Sequence, residues 1–593
     1  MKVRILGIAI TAAILVVGFT FWRSTTNPNV GKSANFAAAQ HRGGQIVTSG
    51  RAAPRTFNRL LGQDQLSFVL GVVTQGHLVR VNYETFEVEP WLAERWDTSP
   101  DGLTYTFHLR QGLTWSDGVP FTADDVVFTL QAIFDPKTRS YISDVLTVGG
   151  KPITADAPDP STVVVHFPAP SGPGVRLLET LWVLPKHKLE AALKAGTLAQ
   201  AWSTDTPPSE MAFMGPFVIK EYVPNQRIIL DRNPHYWRKA ADGTPLPYVD
   251  RIVYEIIPDQ DAELLRLQAG EIDLTQSELR PDDYVPAKRA EDQGKLKVTE
   301  IGLSPMADAF WFNLKPEAWK SDARFAFVQK KEFRQAISYA VDREKFAENV
   351  YLGAAVPIWG PVTPGNTQWF WPDLPRYTHD VNKAKDILKS IGLEDRNGNG
   401  IVEDAQGHEA RFTVVTQRGV GWYERGLAEL RSQLAPIGIA LEPATIENAT
   451  LNQRLVKSDY EAMYMRFGTT DLDPASELDM WLTTGDAHFW HMGDTRPEAW
   501  ETQIDALMKQ NIATADQGRR KEQFKQVQRI FSDNLPVLYF VGPRMYYAYN
   551  VRVEGVKPSV LRPVALWNAD TRCCSSSRSR LPRFCSHGWL LAI

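Results

Sequence analysis

The chain has 593 residues, too many for a single hydrophobic core, so two or three domains are expected. Hydrophobic content of 43% and charged content of 23% are those of a soluble globular protein, and a net charge of −4 gives no electrostatic ground for a nucleic-acid partner. All three cysteines (Cys573, Cys574, Cys585) lie at the end of the chain, which excludes a disulfide framework or a cysteine-ligated metal from the body. The 18 Trp, 27 Phe and 18 Tyr exceed what a core alone needs and suit stacking surfaces around a ligand.

The N-terminus reads as an export segment. Lys2 and Arg4 precede an apolar run from Ile5 to Trp22, with Arg23 after it. The run is long for a signal peptide and just long enough to span a bilayer. Ala37-Ala38-Ala39 offers a small-residue cleavage site, so a released protein and an uncleaved membrane anchor both stay open. Either way the body is exported, to the periplasm or the cell exterior. Residues 24–44 are a polar linker, and the first strand is expected from Gln45.

An apolar segment from Leu66 to Val81 comes next, with a strand pair between Val79 and Trp91. In the following stretch, Pro90 to Pro136, Tyr105, Phe107 and Leu109 alternate with Thr104, Thr106 and His108, the period of a half-buried strand. Asp101-Gly102 and Asp117-Gly118 supply tight turns. Thr122 is a good N-cap, Asp124 and Asp125 suit the first turn, and Val127, Leu130 and Phe134 predict the buried face of a helix. Thr162–Phe167 reads as a strand, residues 168–174 as a loop, and the run after Phe213 as a hairpin, a strand, a helix closed by Gly270 and a short strand ending at Asp273.

Residues 310–545 read as one α/β domain. Phe333, Ile337 and Val341 mark one helix; Asp342 caps the next, with Phe346 and Val350 on one side. Asp380 caps a helix carrying Ala384, Ile387, Leu388 and Ile391, with Gly392 beyond its end. Strands at 411–416, 438–441 and 460–466, with a helix at 423–434, predict βαβ units and parallel pairing. After Asp570 the chain turns Cys- and Arg-rich and unlike anything upstream, as an altered terminus would.

Catalytic chemistry finds no support: there is no Gly-x-Ser-x-Gly, His-Glu-x-x-His or Walker A pattern, and a non-enzyme is expected. His77, His108 and His166 sit in strand-like contexts, and Glu263 and Asp273 are placed as helix-face and strand-end residues. One loop has metal-like spacing. Asp395, Asn397 and Asn399 at positions 1, 3 and 5, Gly400 at 6 and Ile401 at 7 follow a calcium loop, with Glu403 or Asp404 replacing the missing acid at Gln406. The alternative is an Asx-rich turn. No other cofactor is implied.

Several elements of the 90–136 stretch, in fixed order, resemble the family-5 extracellular solute-binding proteins of ABC importers, the oligopeptide and dipeptide receptors. They are Ala93-Glu94-x-Trp96 before the Asp-Gly turn, Tyr105-x-Phe107-x-Leu109-Arg110, Trp115-Ser116-Asp117-Gly118 and Thr122-Ala123-x-Asp125-Val126. Gly215-Pro216-Phe217 and Arg232-Asn233-Pro234-x-Tyr236-Trp237 extend the resemblance, which covers roughly residues 44–570. It implies a mixed α/β, two-lobed periplasmic-binding-protein type II fold with an additional middle domain. Lobe I would be discontinuous (44–76, 211–302, 546–570), the middle domain 77–210, lobe III 303–545, with 1–43 a signal or anchor segment and linker, and 571–593 an atypical tail. Hinges would lie near 300 and 545.

Functionally, the resemblance implies a monomeric receptor that traps short peptides between its lobes and delivers them to membrane permease subunits. Asp471, ahead of Asp473-Pro474 and beyond the strand ending at Arg466, matches the family's acceptor of the peptide α-ammonium. Gly468, Thr469 and Thr470 would pair with an extended peptide through their main chain, reading no side chains. Tyr141 falls near the family's cleft tyrosine, and Gln75 stands where some oligopeptide receptors carry Glu, which removes one charge. Phe467 and Trp481 read as core. Nickel, an opine or an oligosaccharide are the alternative solutes; a sensor or an enzyme using the same cleft is the alternative class.

Overall fold

In the computed structural model of the chain, residues 42–468, 473–493 and 496–574 are described, and every element below falls in the unit Gly43–Ser575. The first strand, Gln45–Gly50, pairs in parallel with Arg251–Ile256, and the hairpin Phe217–Val223 and Arg227–Arg232 completes an antiparallel extension. The apolar segment after it forms the helix Gln65–Thr74, whose N-cap Asp64 accepts from Ser67 N at 2.9 Å.

The alternating stretch becomes Thr104–Leu109, central in an antiparallel sheet with Ala93–Thr98, Thr162–His166 and Thr154–Asp159. Tyr105 and Phe107 face Val165 and Val163 on its buried side, as the alternation requires. Gly102 holds φ +70°, a left-handed conformation that favours glycine in the preceding turn. The helix Ala123–Phe134 buries Leu130 as expected, but Val126 and Ile133 take the buried places expected of Val127 and Phe134. Asp125 sets this rotation. Its carboxylate is turned inward, where it accepts from Thr122 N at 3.0 Å, Lys186 N at 2.9 Å and Trp115 Nε1 at 3.3 Å.

Residues beyond 305 build a five-stranded sheet in the order Ala440–Ile446, Arg411–Gln417, Ala462–Phe467, Ala307–Phe312, Leu538–Tyr539. Arg411–Gln417 runs parallel to both its neighbours, as strand–helix alternation predicts, whereas Ala307–Phe312 is antiparallel to both of its own. That strand enters from the other half of the molecule and not through a crossover helix, so nothing constrains it to be parallel. All six of its residues are buried. The helices Arg343–Tyr351 and Val381–Ser390 are capped by Asp342 and Asp380, which accept from Lys345 N at 3.1 Å and Lys383 N at 2.9 Å.

Two large apolar clusters fill the body, one from residues 46–274 with 547–569, the other from 307–541. Residues expected in lobe I and the middle domain meet in the first of these, while Val47, Ile257, Leu267, Ile272, Ala287, Ala290, Leu296 and Ala548 form a smaller third cluster. Between the two large clusters run the strands Leu296–Leu303 and Val541–Asn550, paired antiparallel from Leu296↔Asn550 to Leu303↔Arg544. The chain's end packs further than its composition suggested: Arg572 is fully buried and Cys573–Cys574 pairs with Val553–Glu554. The run Ile5–Trp22 and Cys585 lie outside the described residues; among those described, no helix is long and apolar enough to cross a membrane.

Inside the second cluster, Glu501 is fully buried between two histidines, with Oε1 3.1 Å from His488 Nε2 and Oε2 2.8 Å from His491 Nδ1; Trp490 Nε1 donates at 3.2 Å. Burial alone would raise its carboxyl, but the hydrogen bonds and charges of His488 and His491 outweigh it and bring it from 4.5 down to about 2. A depressed carboxyl stabilises the fold above the unfolded value and loses that contribution as pH falls from about 4.5 toward 2, up to about 3 kcal/mol. Urea denaturation from pH 6 to pH 3 should therefore show Glu501→Gln less stable at pH 6 and with a shallower loss toward acid than wild type.

Candidate functional site

Against the first apolar cluster, a cavity of about 890 Å³ opens beside the paired strands. One wall comes from the helix Gln65–Thr74 and its C-terminal Gln75, a second from residues 77–91 and 141–182, a third from Ser304–Met306 and Arg466. Its lining thus draws on all three regions expected from the sequence. Gln75 is buried, donates its backbone N–H to Gly71 O at 2.8 Å, and its Oε1 has no hydrogen-bond partner. Tyr141 also lines this cavity, half-buried beside the Arg59 guanidinium.

Gly468 sits at the carboxyl end of Ala462–Phe467 with φ +149°, and a Cβ there would meet Met306 Cα at 3.3 Å and Pro305 O at 3.5 Å. A side chain would be both strained and crowded by the backbone that lines the cavity. Thr469, Thr470 and Asp471 lie outside the described residues. Asp473 is buried and is bound by Arg520, whose NH1 donates to its Oδ2 at 2.8 Å, while Asn511 Oδ1 accepts from the same guanidinium at 3.1 Å. The Asp473-Pro474 pair is thus fixed to the helix that carries Arg520. Phe467 and Trp481 are core, as read.

Sequence reasoning overlooked the charged frame of the cavity. Arg466, within the stretch singled out for Asp471, lines the cavity and is backed by a buried network. Tyr351 and Tyr464 each donate to Asp308 at 2.8 Å, Arg466 NH2 donates to Tyr351 Oη at 3.1 Å, and Arg466 Nε lies 3.6 Å from Asp308, an ion pair too long for a hydrogen bond. Burial pushes the Asp308 carboxyl up, opposed by Arg466 and the two phenols. On the facing wall, Trp91 lies under Arg80 (3.6 Å to the ring centroid) and Arg238 (4.5 Å); Tyr236 Oη donates to Asp570 at 2.8 Å, and Asp570 is also paired with Arg238. A lone Arg at a strand end was the available signal for Arg466; the Trp91 cluster joins residues far apart in sequence, and no local pattern announces it.

His77 is tilted against Trp182 at 4.0 Å, with Nδ1 2.6 Å from Glu179 O. Burial first, then the charges of Arg59 and Arg80, bring its pKa from 6.5 down to about 3 against the pull of that carbonyl. His108 and His166 lie toward the surface beside Asp97 and Asp156. Glu263, on the helix Gln260–Ala269, and Asp273 are both buried: Glu263 pairs with Arg51 at 3.2 Å and Asp273 pairs with Arg552.

The residues of the metal-like loop turn their oxygens on the loop itself. Asp395 accepts from Gly398 N (2.8 Å) and Gly400 N (2.9 Å), Asn397 from Asn399 N and Asn399 from Ile401 N (2.9 Å each). Glu403 is buried and accepts from Arg396 N, and Asp404 accepts from His408 N at 2.9 Å. These are Asx-turn bonds. Among the described residues no group of three His, Cys, Asp or Glu is placed to hold a metal ion.

Comparison with known proteins adds to this geometry. The profile of the bacterial extracellular solute-binding proteins, family 5 (middle), matches residues 87–489. The oligopeptide-binding protein AppA of Bacillus subtilis is 25% identical over 567 residues, covering 94% of this chain and 97% of its own. The ABC transporter substrate-binding protein CtaP of Listeria monocytogenes superposes with a TM-score of 0.74 at 24% identity, over 90% of this chain and 99% of its own. NikA of Brucella suis, solved with Fe(III)-EDTA, gives 0.72 at 18% identity, over 89% and 99%. The last two likenesses establish the fold, a two-lobed type II arrangement.

Because Asp308 is fully buried and balances Arg466, Asp308→Asn should leave the guanidinium uncompensated and cost about 3–5 kcal/mol. Urea titration at neutral pH measures this, and a loss below about 1 kcal/mol would show that the network carries little.

Proposed function

We infer that this chain, which belongs to the family-5 bacterial extracellular solute-binding proteins of ABC importers, binds short peptides and hands them to permease subunits in the membrane. The observation that carries this reading is the cavity of about 890 Å³, walled mainly by residues of the first apolar cluster, met from the other half by Ser304–Met306 and Arg466, and bordered by the connecting strands. A ligand held there touches both halves, so its binding free energy favours the closed arrangement over an open one. The permease docks the closed form and supplies the ATPase; the receptor itself is a monomer, acts outside the cytoplasm and performs no chemistry on its cargo.

Peptide is favoured over other solutes by the polar ends of the site. Arg466, backed by Asp308, offers a cation at one border of the cavity. Asp471, five residues further along the sequence, is assigned to the α-ammonium. Gly468 leaves backbone free of side-chain obstruction for main-chain pairing, the arrangement that accepts many sequences. Likeness to the oligopeptide-binding AppA supports this assignment.

Native mass spectrometry of the purified, undenatured protein should show a distribution of co-purifying masses that fragment as peptides. A single nickel chelate, opine or oligosaccharide mass would replace the peptide assignment while leaving the receptor class intact. Asp471→Ala should weaken peptide binding by tenfold or more in calorimetric titration, about 1.4 kcal/mol; unchanged affinity would end the ammonium role.

A further inference from the structure

The arginines around the cavity are mostly balanced by carboxylates: Arg80 by Glu89, Arg562 by Glu278 at 3.1 Å, Arg466 by Asp308. Arg59 differs. It lines the cavity yet is only 5% exposed, and among the described residues no carboxylate pairs with its guanidinium. Asp64, whose charge reaches it, is engaged at the start of the helix Gln65–Thr74, where it accepts from Ser67 N and Arg55 N. One terminal nitrogen of Arg59 donates to Gly62 O and the Tyr141 hydroxyl hydrogen-bonds to the guanidinium, while Nε is buried with no acceptor among the described residues.

The fold makes room for this side chain. Gly71, inside the helix, has no side chain where Arg59 passes; a Cβ there would lie 2.7 Å from Arg59 Cδ. Three rings then wall the guanidinium, Trp182 at 4.7 Å, Phe68 at 5.1 Å and Tyr141 at 5.4 Å from their centroids. Aromatic faces offset part of the desolvation of a cation but supply no counter-charge. His77, tilted against Trp182 from its own strand-side loop, is an imidazole and supplies no negative charge. A buried cation with an unmatched N–H, on the wall of a ligand cavity, is complete only when an anion arrives from the cavity.

We propose that Arg59, with Phe68, Tyr141 and Trp182 around it, is an anion subsite of the cleft that receives a carboxylate of the bound ligand. The proposal rests on the peptide reading above and sharpens it: the preferred peptides carry a carboxylate, from the C-terminus or an acidic side chain, at this end of the cavity.

The test uses four pentapeptides, Ala-Ala-Xaa-Ala-Ala with Glu or Gln in the centre, each as the free acid and as the C-terminal amide. Each is titrated singly by calorimetry into the wild-type protein, Arg59→Met and Arg59→Lys, after thermal melts establish folding. Wild type should prefer one carboxylate-bearing form by tenfold or more; acid over amide assigns the C-terminus, and Glu over Gln assigns the side chain. The preference should fall to about onefold in Arg59→Met and persist, weakened, in Arg59→Lys. Equal preference in wild type and Arg59→Met overturns the subsite. So does a wild type that binds all four alike, a result that needs no variant to fold. Failure of all four to bind wild type removes the peptide reading and the subsite with it, whereas binding without preference removes the subsite alone.

Discussion

Asp273 is the point on which the two halves of the molecule depend. Its carboxylate is buried without exposure, accepts from Val47 N at 2.7 Å and is paired with Arg552. Its own N–H donates to Val47 O at 2.7 Å, and its carbonyl accepts from Asn550 N at 2.8 Å. One residue thus joins the first strand to the strand Val541–Asn550, which returns the chain from the far half. Burial pushes its carboxyl up, and Arg552 and Val47 N oppose that rise. Removing either partner would leave a charge in an apolar setting, the costliest kind of change a core can suffer.

With that stitch in place, the pair Leu296–Leu303 and Val541–Asn550 can serve as a bearing. Both passages between the halves are strands of one ribbon, so they cannot move independently. The ribbon is not uniform: its register shifts between Glu300 and Gly302, and Gly302 holds φ +120°, a conformation that favours glycine. Bending is easiest at such a bulge. Met545 on one strand and Ser304 just beyond the other line the cavity, so the place where the ribbon can flex is also where a ligand would touch it.

Much of this was legible from residue order, and the exceptions have a common cause. The strand at Tyr105, the caps Asp342 and Asp380 and the C-terminal glycines follow local rules, and local rules are written in adjacent residues. The helix at Ala123–Phe134 was legible in place but not in rotation, because Asp125 turned inward to serve Trp115 and Lys186, partners 10 and 61 residues away. The antiparallel entry of Ala307–Phe312 was missed for a similar reason: the chain comes from the other half, and no period of hydrophobicity records that. At the site, Tyr141 and Gln75 were found through family resemblance, while Arg59, Trp91 and Asp570 emerge only when distant segments meet.

The cavity's charges show how an acidic protein can present a basic cleft. Arg466 is supported from within its own half, by Asp308, Tyr351 and Tyr464, none of which lines the 890 Å³ cavity. Arg80 and Arg238 are held by Glu89 and Asp570 and lie over Trp91 on the opposite wall. Glu89 and Asp308 neutralise Arg80 and Arg466 from behind the lining while each guanidinium keeps a face or edge toward the cavity; Asp570, by contrast, itself lines the cavity and Arg238 does not. Such backing fixes a side chain's position before any ligand arrives, so little conformational entropy is lost on binding. A receptor gains from this arrangement: fixed polar groups orient the solute, and the apolar remainder of the wall supplies contact area.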